Sequence, residues 1–255
     1  MKRWIGKFNR LIQRQRRYDE RSITSQRQRK TYYSVQKSVV PTYLNLRQEL
    51  EVFESNLSDD VVRSRLEEFL NMKNPYKVSV RESSVAGRGL FAEESFEPNQ
   101  LVTLYPGTIY APGDTGVFLT SLRNDYVLRR NDGYTLDGKP RGLSRLVFND
   151  VVARDALNVD TSWCEDNSES FGLGHRVNTS SSPDAINLVY VEVEITRSMI
   201  DHNPDVIYQR LVNSRYSNES LSISPYRTIG LFTRSAVIPG EEFFVSYDFI
   251  ASPSR

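Results

Sequence analysis

The stretch IPGEEFFVSY, residues 238–247, decides how the rest of the chain is read. Pro239 and Gly240 set a turn, two glutamates follow, and EFFVSY (242–247) is the short aromatic and β-branched run of a strand ending on Tyr247. Neither half is specific alone: Pro-Gly-Glu-Glu is a common surface turn, and a tyrosine closing a strand is more often core than catalyst. Its weight comes from what precedes it. Read back toward the N-terminus, the chain presents VNTSSSPDA at 177–185, DGYTLDG at 132–138, YPGTIY at 105–110 and AGRGLFA at 86–92.

Around these motifs the apolar period is two. VSVRES (78–83), LVTLYPGTIY (101–110), DYVLRR (125–130), INLVYVEVEI (186–195) and RTIGLFTR (227–234) are short, rich in Val, Ile, Tyr and Phe, and divided by Gly, Pro, Asn or Asp. The body is therefore mainly β. Two stretches break the rhythm, 139–172 and 196–226, and connections that long are functional, helical or disordered. Upstream, Leu46, Leu50, Phe53 and Leu57, then Val62, Leu66, Phe69 and Leu70, recur at helical spacing and predict a helical pair over 39–74. Ser58 is the expected N-cap of the second helix. Asp59 and Asp60 fall in its first turn, where the helix dipole favours negative charge, and Asn74-Pro75 should end it.

Charge is segregated along the chain. Residues 1–30 hold eleven Lys or Arg against Asp19 and Glu20, a balance of +9 that leaves −8 on the remainder of a chain whose total is +1. Such an arm can bind nucleic acid or an anionic surface; its plain alternative is a solvated tail. Trp4, Ile5, Phe8, Leu11 and Ile12, spaced helically among Lys7, Arg10 and Arg14, give it a basic amphipathic face that also fits a mitochondrial presequence. Residues 1–38 read as this arm with its linker. Nucleus and cytoplasm are the expected compartments, with the mitochondrion open.

At 255 residues the chain can bury one real core with a helical extension, and its mean hydropathy of −0.50 is that of an ordinary globular protein. No apolar run approaches the roughly 20 residues of a membrane span. Cys164 is the single cysteine, and His175 and His202 are the two histidines, which excludes a disulfide framework and a cysteine zinc site, so no metal is expected. The sequons at Asn56, Asn178 and Asn218 read as chance because the start lacks an apolar signal core, and a reducing compartment is expected.

Familiar active sites fall away. A hydrolase triad would need His175 or His202 as base, and neither lies in a nucleophile elbow. No Gly-Lys-Ser/Thr phosphate loop occurs, and the GxG of Gly87 and Gly89 lacks the third glycine of a dinucleotide turn. The ordered motif set instead resembles the SET domain over about residues 76–250. In that family an alternating strand leads into a GxG turn beside the cofactor. A Tyr-x-Gly strand and an Asp-containing strand follow, then an Asn-His-Ser-Cys-x-Pro-Asn segment, and last a Gly-Glu-Glu before a strand ending in tyrosine.

The resemblance implies a mainly β fold, the β-clip SET fold of small curved sheets with a C-terminal pseudoknot, carrying an N-terminal helical extension and long insertions at 139–172 and 196–226. It implies transfer of a methyl group from S-adenosyl-L-methionine to a lysine side chain of a protein substrate. Tyr247 would be the hydroxyl at the reacting centre, with Tyr105 lining the lysine channel. Gly87, Arg88, Gly89 and Leu90 would form the cofactor turn, Asn178 and Thr179 would add cofactor contacts alongside Tyr247, and Phe249 could stack near the adenine. Glu241 and Glu242 read as turn and charge-network residues outside the catalytic set.

The chain departs from the pattern in one place above all. The Asn-His-Ser-Cys-x-Pro-Asn segment is here Asn178, Thr179, Ser180, Ser181, Ser182, Pro183 and Asp184. A threonine offers one hydroxyl where imidazole offers a ring and two nitrogens, which bears on activity more than on fold. The alternative is therefore a SET-fold interaction module with little or no catalysis. After Tyr247 no cysteine follows, so the zinc-binding segment found C-terminal to many SET domains has no counterpart, and the two long insertions would have to wall the substrate channel.

Overall fold

In the computed structural model the described residues are 57–73, 77–122, 124–155, 159–165, 169–180, 182–216 and 226–246, all within the unit spanning Arg47–Asp248. The basic arm, the first helix of the expected pair, and Tyr247 and Phe249 lie outside them. Helix α1 (Asp59–Asn71) begins as its sequence predicts: the Ser58 side chain accepts from the Val61 N–H, and Asp59 and Asp60 occupy the first turn. Its buried stripe is Leu66, Phe69 and Leu70, with the Phe69 ring edge-on to Phe171 at 5.3 Å.

Strands β1 (Val78–Glu82) and β2 (Arg88–Ala92) pair antiparallel from Val78↔Ala92 to Glu82↔Arg88. Ser83 closes the hairpin, its N–H donating to the Gly87 carbonyl at 2.9 Å while its Oγ accepts from the Val85 and Ala86 N–H groups. Strand β3 (Leu101–Leu104) belongs to a second sheet of order β3-β9-β7, where β7 is Leu188–Ile195 and β9 is Tyr226–Thr233. The alternation of β7 holds in its second half, where Val191, Val193 and Ile195 are buried and Glu192 and Glu194 half-buried, while Leu188 and Tyr190 before it are buried on the face that the glutamates continue. Central β9 is buried along nearly its whole length.

Strand β4 (Gly107–Tyr110) lies in a third sheet, with β5 (Val127–Arg129), β6 (Thr135–Asp137) and β8 (Asn213–Arg215) in the order β5-β6-β4-β8. The run 101–110, expected as one strand, is thus two strands in two sheets. Pro106 has no N–H to continue a ladder, and Gly107 takes φ +127°, a conformation costly for any other residue. Buried Asn213 bridges the corner, its side-chain amide donating to the carbonyls of Tyr105 (3.1 Å) and Gly107 (3.2 Å).

The 139–172 stretch supplies helix α3 (Gly142–Asp155), which follows the short α2 (Gly116–Ser121). Phe148 of α3 meets the buried Trp163 edge-on at 5.1 Å, with Val159 and Cys164 completing the cluster. The 196–226 stretch supplies α4 (Arg197–His202), α5 (Pro204–Arg210) and β8. Strand β8 runs parallel to β4, a pairing with no mark in the sequence. Among the described residues no helix is long and apolar enough to cross a membrane.

The C-terminal segment differs from expectation. Of EFFVSY the described residues, 242–246, are not a strand in a ladder; they touch their neighbours through isolated bridges, Phe91↔Glu242 on one flank and Asn178↔Phe244 on the other. Their partners are a hairpin on one side and a loop on the other, each met by a few backbone hydrogen bonds and not by a continuous register. Phe244 donates its N–H to the Asn187 side chain (2.8 Å) and accepts from the N–H groups of Asn187 (3.2 Å) and Leu188 (3.0 Å), while the Val245 N–H reaches the Asn178 carbonyl at 3.0 Å. The segment is held between both ends of loop 178–187, which is the threaded arrangement of a pseudoknot.

Gly107 offers a direct check of the corner. A Cβ there would lie 1.9 Å from the Asp137 carbonyl oxygen, whereas one on Gly113 (φ +87°) meets nothing within 4 Å. Gly113→Ala is expected to lose the left-handed backbone penalty of about 1–2 kcal/mol. Gly107→Ala should exceed it by at least about 2 kcal/mol because backbone must also move. Equal urea midpoints for the two variants would contradict the corner as described.

Candidate functional site

The turn after β1 combines two glycines with different duties. Gly87 has φ +51° and open space where a side chain would begin, so it is required for conformation. Gly89 is required for room: a Cβ would sit 2.0 Å from Oε1 of Glu242 and 3.1 Å from Nδ2 of Asn178. Arg88 between them points back along the hairpin and donates to the Val80 carbonyl at 3.0 Å. Leu90 is fully buried beneath the turn.

Asn178 meets this turn from 92 residues away in sequence. Its amide nitrogen donates to the Ala86 carbonyl at 3.0 Å and to Glu242 Oε1 at 2.9 Å, with the Arg88 carbonyl at 3.5 Å. The other carboxylate oxygen of Glu242 accepts from Ser83 Oγ at 2.9 Å, and the Glu242 carbonyl accepts from the Asn187 side chain at 3.0 Å. The structure therefore brings Gly87, Arg88, Gly89, Leu90 and Asn178 together. Thr179 follows at the half-buried edge of the same loop. Tyr247 and Phe249 are outside the described residues, and the chain leads toward them through Val245 and Ser246 from beside Asn178.

Glu242, Ser83 and Asn187 were missed by sequence reasoning. Glu242 carried a signal, its place in Pro-Gly-Glu-Glu, that a common surface turn explains equally well. Glu241 does behave that way: it is exposed, and its carboxylate accepts from the Ile238 N–H of its own turn at 3.0 Å. Ser83 and Asn187 carried none.

Tyr105 sits at the corner between the two sheets and is 3% exposed. Its hydroxyl donates to the Tyr126 carbonyl at 3.0 Å, and Tyr190 stands edge-on to its ring at 6.2 Å. Side chains on Gly138 or Gly174 would run into it, at 2.6 Å from its ring and 3.1 Å from its Cα respectively. Gly174 opens the turn Gly174–Arg176 that leads into Asn178, so tyrosine and asparagine are linked through one short, tightly packed stretch.

Curated relatives and solved structures fit this arrangement to different degrees. Two curated proteins are 30% identical to the chain over 194 residues, 73% of its length. On that likeness the chain belongs to the SET domain family. The relatives are SET domain-containing protein 9 of Homo sapiens and of Pongo abelii, of which 62% and 68% are covered, so the chain spans somewhat under two thirds of the human protein. No family model matches. Among solved structures, a Plasmodium falciparum protein provisionally assigned as a histone methyltransferase aligns with 69% of this chain and 95% of its own, at 14% identity and a TM-score of 0.36. A humanized mutant of Chaetomium thermophilum Polycomb Repressive Complex 2 aligns with 67% of this chain and 15% of its own, at 16% identity and a TM-score of 0.35. Overlap at those scores decides nothing about fold or chemistry.

His175, next to Arg176 in the same turn, is buried against Trp163, ring to ring at 5.3 Å. Among the described residues neither of its ring nitrogens meets a partner in hydrogen-bonding geometry. Burial pushes its pKa down to about 3, against a smaller pull from the Gly172 backbone. The folded protein thus keeps this imidazole neutral while the unfolded chain takes up a proton below about 6.5. Stability should fall as pH drops from about 6.5 toward 3, by up to about 1.4 kcal/mol per pH unit from this group. Urea midpoints followed from pH 7 to 4 should show the slope in wild type and a shallower one in His175→Leu; parallel slopes would contradict it.

Proposed function

We propose that the protein is an S-adenosyl-L-methionine-dependent protein-lysine N-methyltransferase. One observation carries the reading: the GRG turn, Asn178 and the segment that runs into Tyr247 converge on one place from distant parts of the sequence. The residues there suit a cofactor that bears an ammonium. The Ala86 and Arg88 carbonyls and the Glu242 carboxylate, gathered around the Asn178 amide, form an acceptor-rich edge with lone pairs to spare, and the space beside Gly87 is open.

Bound S-adenosyl-L-methionine would supply an electrophilic methyl group on its sulfonium. Displacement by an amine needs no nucleophile from the protein, so positioning is the main source of rate. The lone thiol takes no part: Cys164 is buried, and burial pushes its pKa up to about 11. The substrate lysine must be neutral to attack, and with a free pKa of about 10.4 it loses its proton more readily in apolar surroundings. Tyr105, whose hydroxyl is held by the Tyr126 carbonyl, would present its ring as channel wall. Tyr247 would orient the amine through its hydroxyl.

A second reading, a SET-fold module that binds without catalysis, is favoured by Thr179 and Asp184 standing where the family has histidine and asparagine. The two part experimentally. The full chain, saturated with labelled S-adenosyl-L-methionine, should methylate lysines on a peptide array, and Tyr247→Phe should lower the rate by about 100-fold or more. Cofactor binding without transfer to any lysine would favour the module. Absence of both binding and transfer would overturn the methyltransferase reading.

A further inference from the structure

We infer that Glu242 is a positioning residue: its carboxylate fills the space that Gly89 leaves and locks the hairpin turn to the Asn178 loop, fixing the turn's carbonyls in one arrangement. The hydrogen bonds close a ring around Ala86, the exposed residue at the tip of the turn. Its N–H lies 3.4 Å from Ser83 Oγ, whose own proton is directed to Glu242 Oε2. Its carbonyl accepts from Asn178, whose amide also donates to Glu242 Oε1. Both polar groups of Ala86 are therefore held at one remove by the same carboxylate, and neither link would survive a substituent that turned it away.

The carboxylate is itself rigidly placed. The Glu242 carbonyl is held by Asn187, the Phe243 N–H donates to the Leu90 carbonyl at 2.8 Å, and the Ala92 N–H reaches the Glu241 carbonyl at 2.9 Å. Ser83 already accepts from Val85 at 3.0 Å, so its hydroxyl has only its proton to give. An acceptor is thus required opposite it. Gly89, usually explained by close approach of a ligand, is here explained by a side chain of the protein itself.

That this turn then holds a cofactor rests on the methyltransferase reading, so the experiment has two independent arms on the full chain. The first is a cycle of thermal unfolding on wild type, Glu242→Ala, Gly89→Ala and the double variant. Gly89→Ala should lower Tm because its Cβ, 2.0 Å from Oε1, turns the carboxylate away from Ser83 and Asn178; Glu242→Ala loses the same two bonds, so the double variant should lose less than the sum of the singles. Additive losses would overturn the placement of Glu242. The second arm is calorimetry with S-adenosyl-L-methionine below the unfolding range. Glu242→Gln, which keeps size and removes charge, should weaken binding about tenfold, while Gly113→Ala, a destabilising change outside these hydrogen bonds, should leave affinity unchanged. Wild-type affinity in Glu242→Gln, or equal loss in both variants, would overturn the positioning role. If wild type itself fails to bind, the methyltransferase reading falls and the stability cycle alone decides the role of Glu242.

Discussion

Residues 242–245 must satisfy their backbone groups on two flanks at once, and most of the described architecture follows from how they do it. Buried N–H and C=O groups are costly unless paired. On the hairpin side the pairs are Phe243 with Leu90 and Glu241 with Ala92; on the loop side they are Phe244 with Asn187 and Leu188, and Val245 with Asn178. Phe243 and Val245 point into the core, where Phe243 stands edge-on to Phe96 at 5.4 Å. A segment so placed cannot shift by one residue without exposing aromatic surface and orphaning hydrogen bonds on both sides. It therefore fixes the hairpin turn and the 178–187 loop relative to each other, although it belongs to neither.

The second fixed point is the corner at Tyr105-Pro106-Gly107. A chain passing from one sheet to another leaves carbonyls that no ladder can use, and Asn213 takes two of them while its own side-chain oxygen accepts from Thr228. The Tyr226 hydroxyl closes the same network on the Asn213 carbonyl at 3.1 Å. Everything in it is buried, so the satisfied network rigidifies the corner and specifies a single geometry. Tyr105 inherits that rigidity, pinned between the Gly138 and Gly174 backbones with its hydroxyl committed to Tyr126.

How far the sequence speaks depends on whether a requirement is local. The period of β7, the turn residues of the GRG hairpin, and the Ser58 cap with its acidic first turn are set by neighbours along the chain, and each is legible. So is the mainly β character. What escapes is set by partners far away. Strand β8 is three residues, Asn213–Arg215, with no alternation to show, and exists because β4 lies beside it. The segment 242–247 has the composition of a strand, but its described residues meet their neighbours through isolated bridges and not a ladder. At the site, glycines and Asn178 stand out because few residues can replace them, whereas Glu242 and Ser83, 159 positions apart in sequence, look like any surface turn until the chain folds.

The same distinction bears on the degenerate motif. The 178–187 loop is anchored by Asn178, through its side chain and its carbonyl, and by Asn187, through its side chain and N–H. Both asparagines are present. The bonds named here are made by the two asparagines, and the chain keeps both of them beside the substituted position 179. A chain can keep the architecture of the site while altering what the site holds, and in this protein the structural letters are the ones retained.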